Sequence, residues 1–222
     1  MKLVVFDMDG VLTEYFSSWV WVHEHFGTNN DESLEAYLRG EIEDMEFMRR
    51  DIALWMKKKE NLRKEHFEEI FEAVPIREGA GELIRWLKEN GVKTAIISGG
   101  IDILAHRIAE ELGIDRVFAN GLEFDEKGRL TGNGILRVVL RDKSIILREL
   151  KKELRVEKKD CAAVGDSNID ATMFEECALG IAFNPKPESK EIIEKADYVV
   201  YGKSLMEIKP HIERSLLGEK DK

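Results

Sequence analysis

Short apolar runs at residues 2–6, 92–97, 161–164, 180–183 and 198–201 constrain this chain more than any other feature. A strand with one wet face alternates polar and apolar residues; these runs do not, which is the pattern of strands buried on both faces. Between them lie amphipathic segments with helical spacing, at residues 81–90, 101–112, 143–154, 168–177, 187–195 and 204–217. Strand alternating with helix predicts an α/β fold, a doubly wound parallel sheet with helices on both faces.

Two stretches break that rhythm. Residues 14–74 carry only helical pattern, with Leu34, Leu38, Phe47, Ile52, Trp55, Phe67, Ile70 and Phe71 spaced at threes and fours. They predict a helical cap subdomain inserted after strand 1, leaving residues 1–13 and 75–217 as the α/β core. In residues 122–140, the turn pair Lys127-Gly128 lies between strand-like flanks and predicts a small β-hairpin, placed after a third strand. Residues 218–222 read as a loose tail.

Composition narrows the function classes. The 34 Lys and Arg against 44 Asp and Glu give a formal charge of −10, which argues against a nucleic-acid partner, since such a protein needs a broad basic surface. No apolar run reaches the roughly 20 residues that span a bilayer. The start meets a charge at Asp7 too early for a signal peptide, so a cytoplasmic location with no membrane association is expected. Cys161 and Cys177 lack zinc-site spacing and read as small buried apolar side chains. A 35% charged fraction with no glutamine is the bias of heat-adapted proteins, and suggests a thermophilic source.

The chemistry-bearing residues fall where strands end. Asp7 and Asp9 follow the first strand; alternation puts both on one side, and Gly10 lets the chain turn. Two carboxylates that close require a cation or a shared proton, although an acidic pair before glycine also makes ordinary turns. Ser98-Gly99 ends the second strand just before a helix, either as an anion site or as a simple cap. Lys143 opens another helix and by itself is a solvated lysine. Asp166 and Asp170, four apart after the strand at 161–164, can share a helix face or cap its start. All four pieces occupy one edge of the sheet, the edge where open α/β sheets place ligands.

In order and spacing, Asp7-x-Asp9-Gly10, Ser98, Lys143 and Gly165-Asp166-x-x-x-Asp170 resemble the haloacid dehalogenase superfamily over nearly the whole chain. Ser98-Gly99-Gly100, Phe118-Ala119-Asn120 and the hairpin Lys127-Gly128-Arg129-Leu130-Thr131-Gly132 are similar to its phosphoserine phosphatase branch. The resemblance implies a Rossmann-like core and a phosphatase acting on a small phosphorylated metabolite. It implies Asp7 as nucleophile, Asp9 as general acid and base, and Mg2+ held by Asp7, the Asp9 carbonyl and Asp166. Gly10, Ser98, Gly99 and Lys143 would bind phosphate, and Asp170 would support the metal loop from behind.

The branch's substrate contacts are less well matched. Its asparagine before the last aspartate is Ile169 here, with Asn168 one step earlier, and its early cap glutamate aligns with Phe16, near Glu14. Its cap arginine, which grips the substrate carboxylate, aligns with Arg49 or the neighbouring Arg50. Phe16, Trp19 and Trp21 either shape the pocket or form the cap's own core. A carboxylate-bearing phosphate without an amine is therefore one expected substrate. A phosphomutase or phosphotransferase of the same superfamily is the alternative enzyme, and a non-catalytic phosphate-ligand sensor is the alternative of another class.

Overall fold

A computed structural model describes residues 1–217, so the tail at 218–222 lies outside the described residues. Seven strands form one sheet: β1 (Leu3–Phe6), β2 (Lys93–Ile101), β3 (Arg116–Phe124), β4 (Leu130–Ile135), β5 (Cys161–Gly165), β6 (Leu179–Phe183) and β7 (Tyr198–Val200), in the order β4-β3-β2-β1-β5-β6-β7. All pairs are parallel except β3 with β4. The expected parallel α/β core is therefore present.

Alternation along β1 explains why its sequence does not alternate. Val4 and Phe6 join the core on one face with Ile96, Val164 and Ile181; Leu3 and Val5 join the other with Ile97, Cys161 and Ala163. Helices α5 (Ala80–Glu89) and α6 (Asp102–Leu112) cover the first face through Leu83, Leu87, Leu104 and Ile108. On the second face, α7 (Ser144–Leu154), α8 (Ala171–Phe174) and α9 (Lys190–Lys195) pack through Leu147, Leu150, Phe174 and Ile192. The last helix, α10 (Lys209–Leu217), returns to the first face with Ile212. Fully burying a side chain such as Phe6 contributes about 1.5–3 kcal/mol. Cys161 and Cys177 are buried free thiols with their Sγ atoms 3.0 Å apart.

Four helices follow β1 and precede α5, namely α1 (Ser18–Phe26), α2 (Asp31–Leu38), α3 (Asp44–Lys58) and α4 (Lys64–Glu72). Trp55 of α3, fully buried, stacks on Trp19 at 5.5 Å and meets Phe67 at 5.9 Å, knitting α1, α3 and α4 together. Among the described residues no helix is long and apolar enough to cross a membrane.

Three details differ from the sequence expectation. Residues 116–120 are a parallel strand of the sheet, whose apolar centre Val117-Phe118-Ala119 is too short to stand out between Arg116 and Asn120. Its continuation pairs with β4 as the hairpin. β2 runs on to Ile101, with a bulge between Ser98 and Ile101, so Ser98 lies before the helix rather than at its cap. The segment after β5 is a single turn at Asn168–Asp170 followed by the short α8.

Candidate active site

The chain after β1 makes one wide turn, closed by the Thr13 N–H donating to the Met8 carbonyl at 3.0 Å. Gly10 takes φ 77°, and a Cβ there would lie 2.2 Å from Asp166 Oδ2. Only glycine therefore lets the turn and Asp166 share this space. Asp7 Oδ1 accepts from the Met8 N–H at 2.8 Å and lies 2.9 Å from Lys143 Nζ. The same ammonium donates to Asp170 Oδ1 at 2.6 Å. Asp170 Oδ2 accepts from the N–H groups of Asp166 (3.1 Å) and Ser167 (3.0 Å) and from the Ser167 hydroxyl (3.0 Å). Both of its oxygens are thus engaged, and it fixes Lys143 against the Asp166 loop.

Asp9 Oδ2 accepts from the Ser18 N–H and hydroxyl, each at 2.9 Å, tying the turn to the start of α1. Burial pushes Asp9 up to about 7, with Asp7 adding to the rise and Ser18 opposing it. Asp7 rises to about 6, chiefly through burial and then Asp170, while Lys143 and Ser98 pull it back. Burial, Asp170 and Asp7 raise Asp166 as well. Burial alone would lower Lys143, but Asp170 and Asp7 outweigh it and the ammonium is held more firmly than usual.

Asp7, Asp9, Ser98, Gly99, Lys143 and Asp166 line one cavity of about 620 Å³, which extends under the helices after β1. Carboxylate oxygens of Asp7, Asp166 and Asp170 lie within 4.8 Å of one another. Such a set of hard oxygen donors, with four nearby carboxylates (Asp7, Asp9, Asp166 and Asp170) and one ammonium, suits a divalent cation such as Mg2+. Because Asp170 already serves Lys143 and the loop amides, Asp7 and Asp166 are the carboxylates left for an ion.

Two expected contacts fall elsewhere. The phase of α3 is set by its buried Met48, Ile52 and Trp55, which turns Arg49 and Arg50 outward. Arg49 is exposed and donates to Asn133 at 3.3 Å; Arg50 pairs with Glu46 at 3.0 Å. Asn168 is exposed and accepts from the Ile192 N–H at 3.2 Å, at the start of α9, while Ile169 lines the cavity. Arg77 and Asp51, which the sequence did not single out, support the site together with Asn120 and Trp19, which it did. Arg77, 8% exposed, donates to the carbonyls of Gly10 (2.7 Å), Val11 (2.7 Å) and Thr13 (3.0 Å). Asn120 Oδ1 accepts from the N–H groups of Arg137 and Val138, and the Trp19 indole donates to the Gly99 carbonyl at 3.0 Å. Asp51, one turn from Met48, faces the cavity.

The model of the haloacid dehalogenase-like hydrolases matches residues 4–175. A phosphoserine phosphatase of Idiomarina loihiensis is 34% identical over 220 residues, with 98% of this chain and 96% of the relative covered. One from Archaeoglobus fulgidus is 36% identical over 195 residues, covering 87% of this chain but 55% of that protein, so the match spans about half of its length. A solved structure described as a phospho-aspartyl intermediate analogue of phosphoserine phosphatase superposes with a TM-score of 0.78 at 30% identity, covering 95% of this chain and 98% of that one. The chain belongs to the haloacid dehalogenase-like hydrolases, and within them it is a phosphoric monoester hydrolase.

Proposed function

We propose that the protein hydrolyses a small phosphate monoester with the help of Mg2+, through a phosphoryl group carried briefly on Asp7. The observation that carries this reading is the Asp7 carboxylate, held through Oδ1 by Met8 N–H and Lys143 and lining the cavity beside Ser98. An oxygen fixed in that way attacks phosphorus without first paying for its own alignment. Asp9, with its raised affinity for a proton, delivers one to the departing alkoxide and then removes one from the water that cleaves the aspartyl-phosphate. Lys143 and the Ser98 hydroxyl offset charge on the transferring oxygens. Asp7, Asp166 and the Asp9 carbonyl would hold Mg2+, which when bound supplies positive charge to the phosphate oxygens. Asp170 aligns Lys143 and the Asp166 loop, and the helices of residues 14–74 act as the cap that excludes water and meets the rest of the substrate.

The test is release of inorganic phosphate from a panel of monoesters. Asp7→Asn should lower turnover by orders of magnitude on every substrate, and acid quench of the wild type should leave phosphate bound to Asp7. Phosphate recovered on another residue would overturn the assignment.

A further inference from the structure

The cap presents carboxylates, not guanidinium groups, to the cavity that holds Asp7. Asp44 and Asp51 line it and are buried. Asp51 accepts from the Ser33 hydroxyl (2.8 Å) and the Asn30 side-chain amide (2.9 Å). His23 Nε2 lies 3.3 Å from it, too poorly aligned for a full hydrogen bond. The Trp55 indole donates to His23 Nδ1 at 3.0 Å, and the Thr28 hydroxyl lies 2.7 Å from the same nitrogen, so that side of the ring is occupied within the helices after β1. Asp44 accepts from the Tyr37 hydroxyl and the Leu140 N–H, each at 3.2 Å and both on Oδ1. Its Oδ2 accepts no hydrogen bond from the described residues.

The cations nearby are committed or peripheral. Arg49 and Arg50 point away from the cavity, and Arg141, exposed, donates to the Tyr37 carbonyl at 2.7 Å and lies over its ring. Lys143 serves Asp7 and Asp170. Lys186 is an exposed rim residue over the Phe16 ring, and Glu188 lines the same rim. Among the described residues, a carboxylate entering beside the phosphate would face two buried carboxylates, with the water-screened Lys186 on the rim and Arg141 already bound to Tyr37, whereas Phe16, Leu34 and Phe47 offer apolar contact.

Resting on the phosphatase reading, we infer that the alcohol half of the substrate carries no anionic group and gives a hydrogen-bond donor, hydroxyl or ammonium, to Asp44. This separates the chain from its phosphoserine phosphatase relatives, because phosphoserine brings a carboxylate.

The deciding experiment compares kcat/KM of the wild-type enzyme, with magnesium, for glycerol phosphate and ethanolamine phosphate against phosphoserine and phosphoglycolate, with nitrophenyl phosphate as the reference for chemistry. One of the first pair should exceed both of the second by about tenfold or more, the scale of a single pocket contact, and which of the pair wins identifies hydroxyl or ammonium. Asp44→Asn should narrow that ratio by about tenfold, through loss on the donor-bearing ester. Phosphoserine or phosphoglycolate matching the non-anionic esters in the wild type would overturn the inference while leaving the phosphatase reading intact, as would an unchanged ratio in a folded Asp44→Asn. Failure to turn over any ester, nitrophenyl phosphate included, would instead bring down the phosphatase reading and this inference with it.

Discussion

Arg77 donates from Nη2 to the Gly10 carbonyl at 2.7 Å, and so a side chain remote in sequence fixes the turn that carries Asp7 and Asp9. Its other bonds, to Val11 and Thr13, complete a clamp on three carbonyls that the turn cannot satisfy by itself, while its guanidinium lies 5.1 Å from the centre of the Phe183 ring.

Removing that clamp should unfold the turn first. Arg77→Ala leaves buried carbonyls without donors, each worth about 1–3 kcal/mol, and a total loss of about 3–5 kcal/mol is expected because the terms do not add fully. Arg77→Lys restores a charge but not the fork, so it should recover only part. Denaturant midpoints and kcat should fall together in both variants; full stability in Arg77→Lys would show that charge alone suffices.

Asp9 should matter in proportion to how badly the leaving group needs a proton. With its pKa near 7, about half of the side chain is protonated at neutral pH, so it can act as an acid there. Asp9→Asn should slow alkyl phosphates about a hundredfold or more, and nitrophenyl phosphate, whose leaving group departs unaided, far less. Equal losses on the two ester types would remove Asp9 from the acid role.

The core and the carboxylates at its edge were legible because both depend on local pattern: apolar runs name the strands, and the residues that end a parallel strand or open the helix beyond it gather at one edge of the sheet. Asp7, Asp9, Ser98, Lys143 and Asp166 converge for that reason. The cap contact was misread because alignment to an expected arginine ignored helix phase. Met48, Asp51, Ile52 and Trp55 stand at i, i+3, i+4 and i+7, so an acidic residue rides on the buried stripe while Arg49 and Arg50 do not. That signal was present in the sequence. No comparable signal marks Arg77, since its role exists only once residues 10–13 are brought against it, and the third strand was expected without bounds because its short apolar centre gains its strand character from pairing with β2.

Lys143 stands between two carboxylates and is nearly inaccessible, so its loss should be costly beyond catalysis. Lys143→Met strands Asp7 and Asp170 without a counter-ion, and breaking a buried pair in this way typically costs about 3–5 kcal/mol. Adding Asp170→Asn removes one of the stranded charges and should return part of the stability while leaving turnover absent. A Lys143→Met enzyme as stable as the wild type would mean that water reaches these carboxylates and screens them.

The site's protonation gives the last prediction a definite sign. Burial raises Asp7 to about 6 and Asp9 to about 7 from an ordinary value of 3.8, and raises Asp166 too. Between roughly pH 4 and pH 7 these site carboxylates therefore bind more protons in the folded, metal-free protein than in the unfolded chain, and their contribution to stability falls as pH rises through that window. A divalent cation takes the deprotonated carboxylates, so it opposes that fall and binds more tightly as the protons leave. Thermal melts in chelator and in millimolar magnesium should show a small Tm increase from the metal at about pH 5 and a larger one at about pH 7.5. Asp166→Asn, which removes one of the carboxylates proposed to hold the ion and one of the crowded charges, should flatten both the pH dependence and the response to magnesium. Metal stabilisation of equal size at both pH values would mean that these aspartates are already ionised at pH 5, and that crowding among them is relieved by something other than protons.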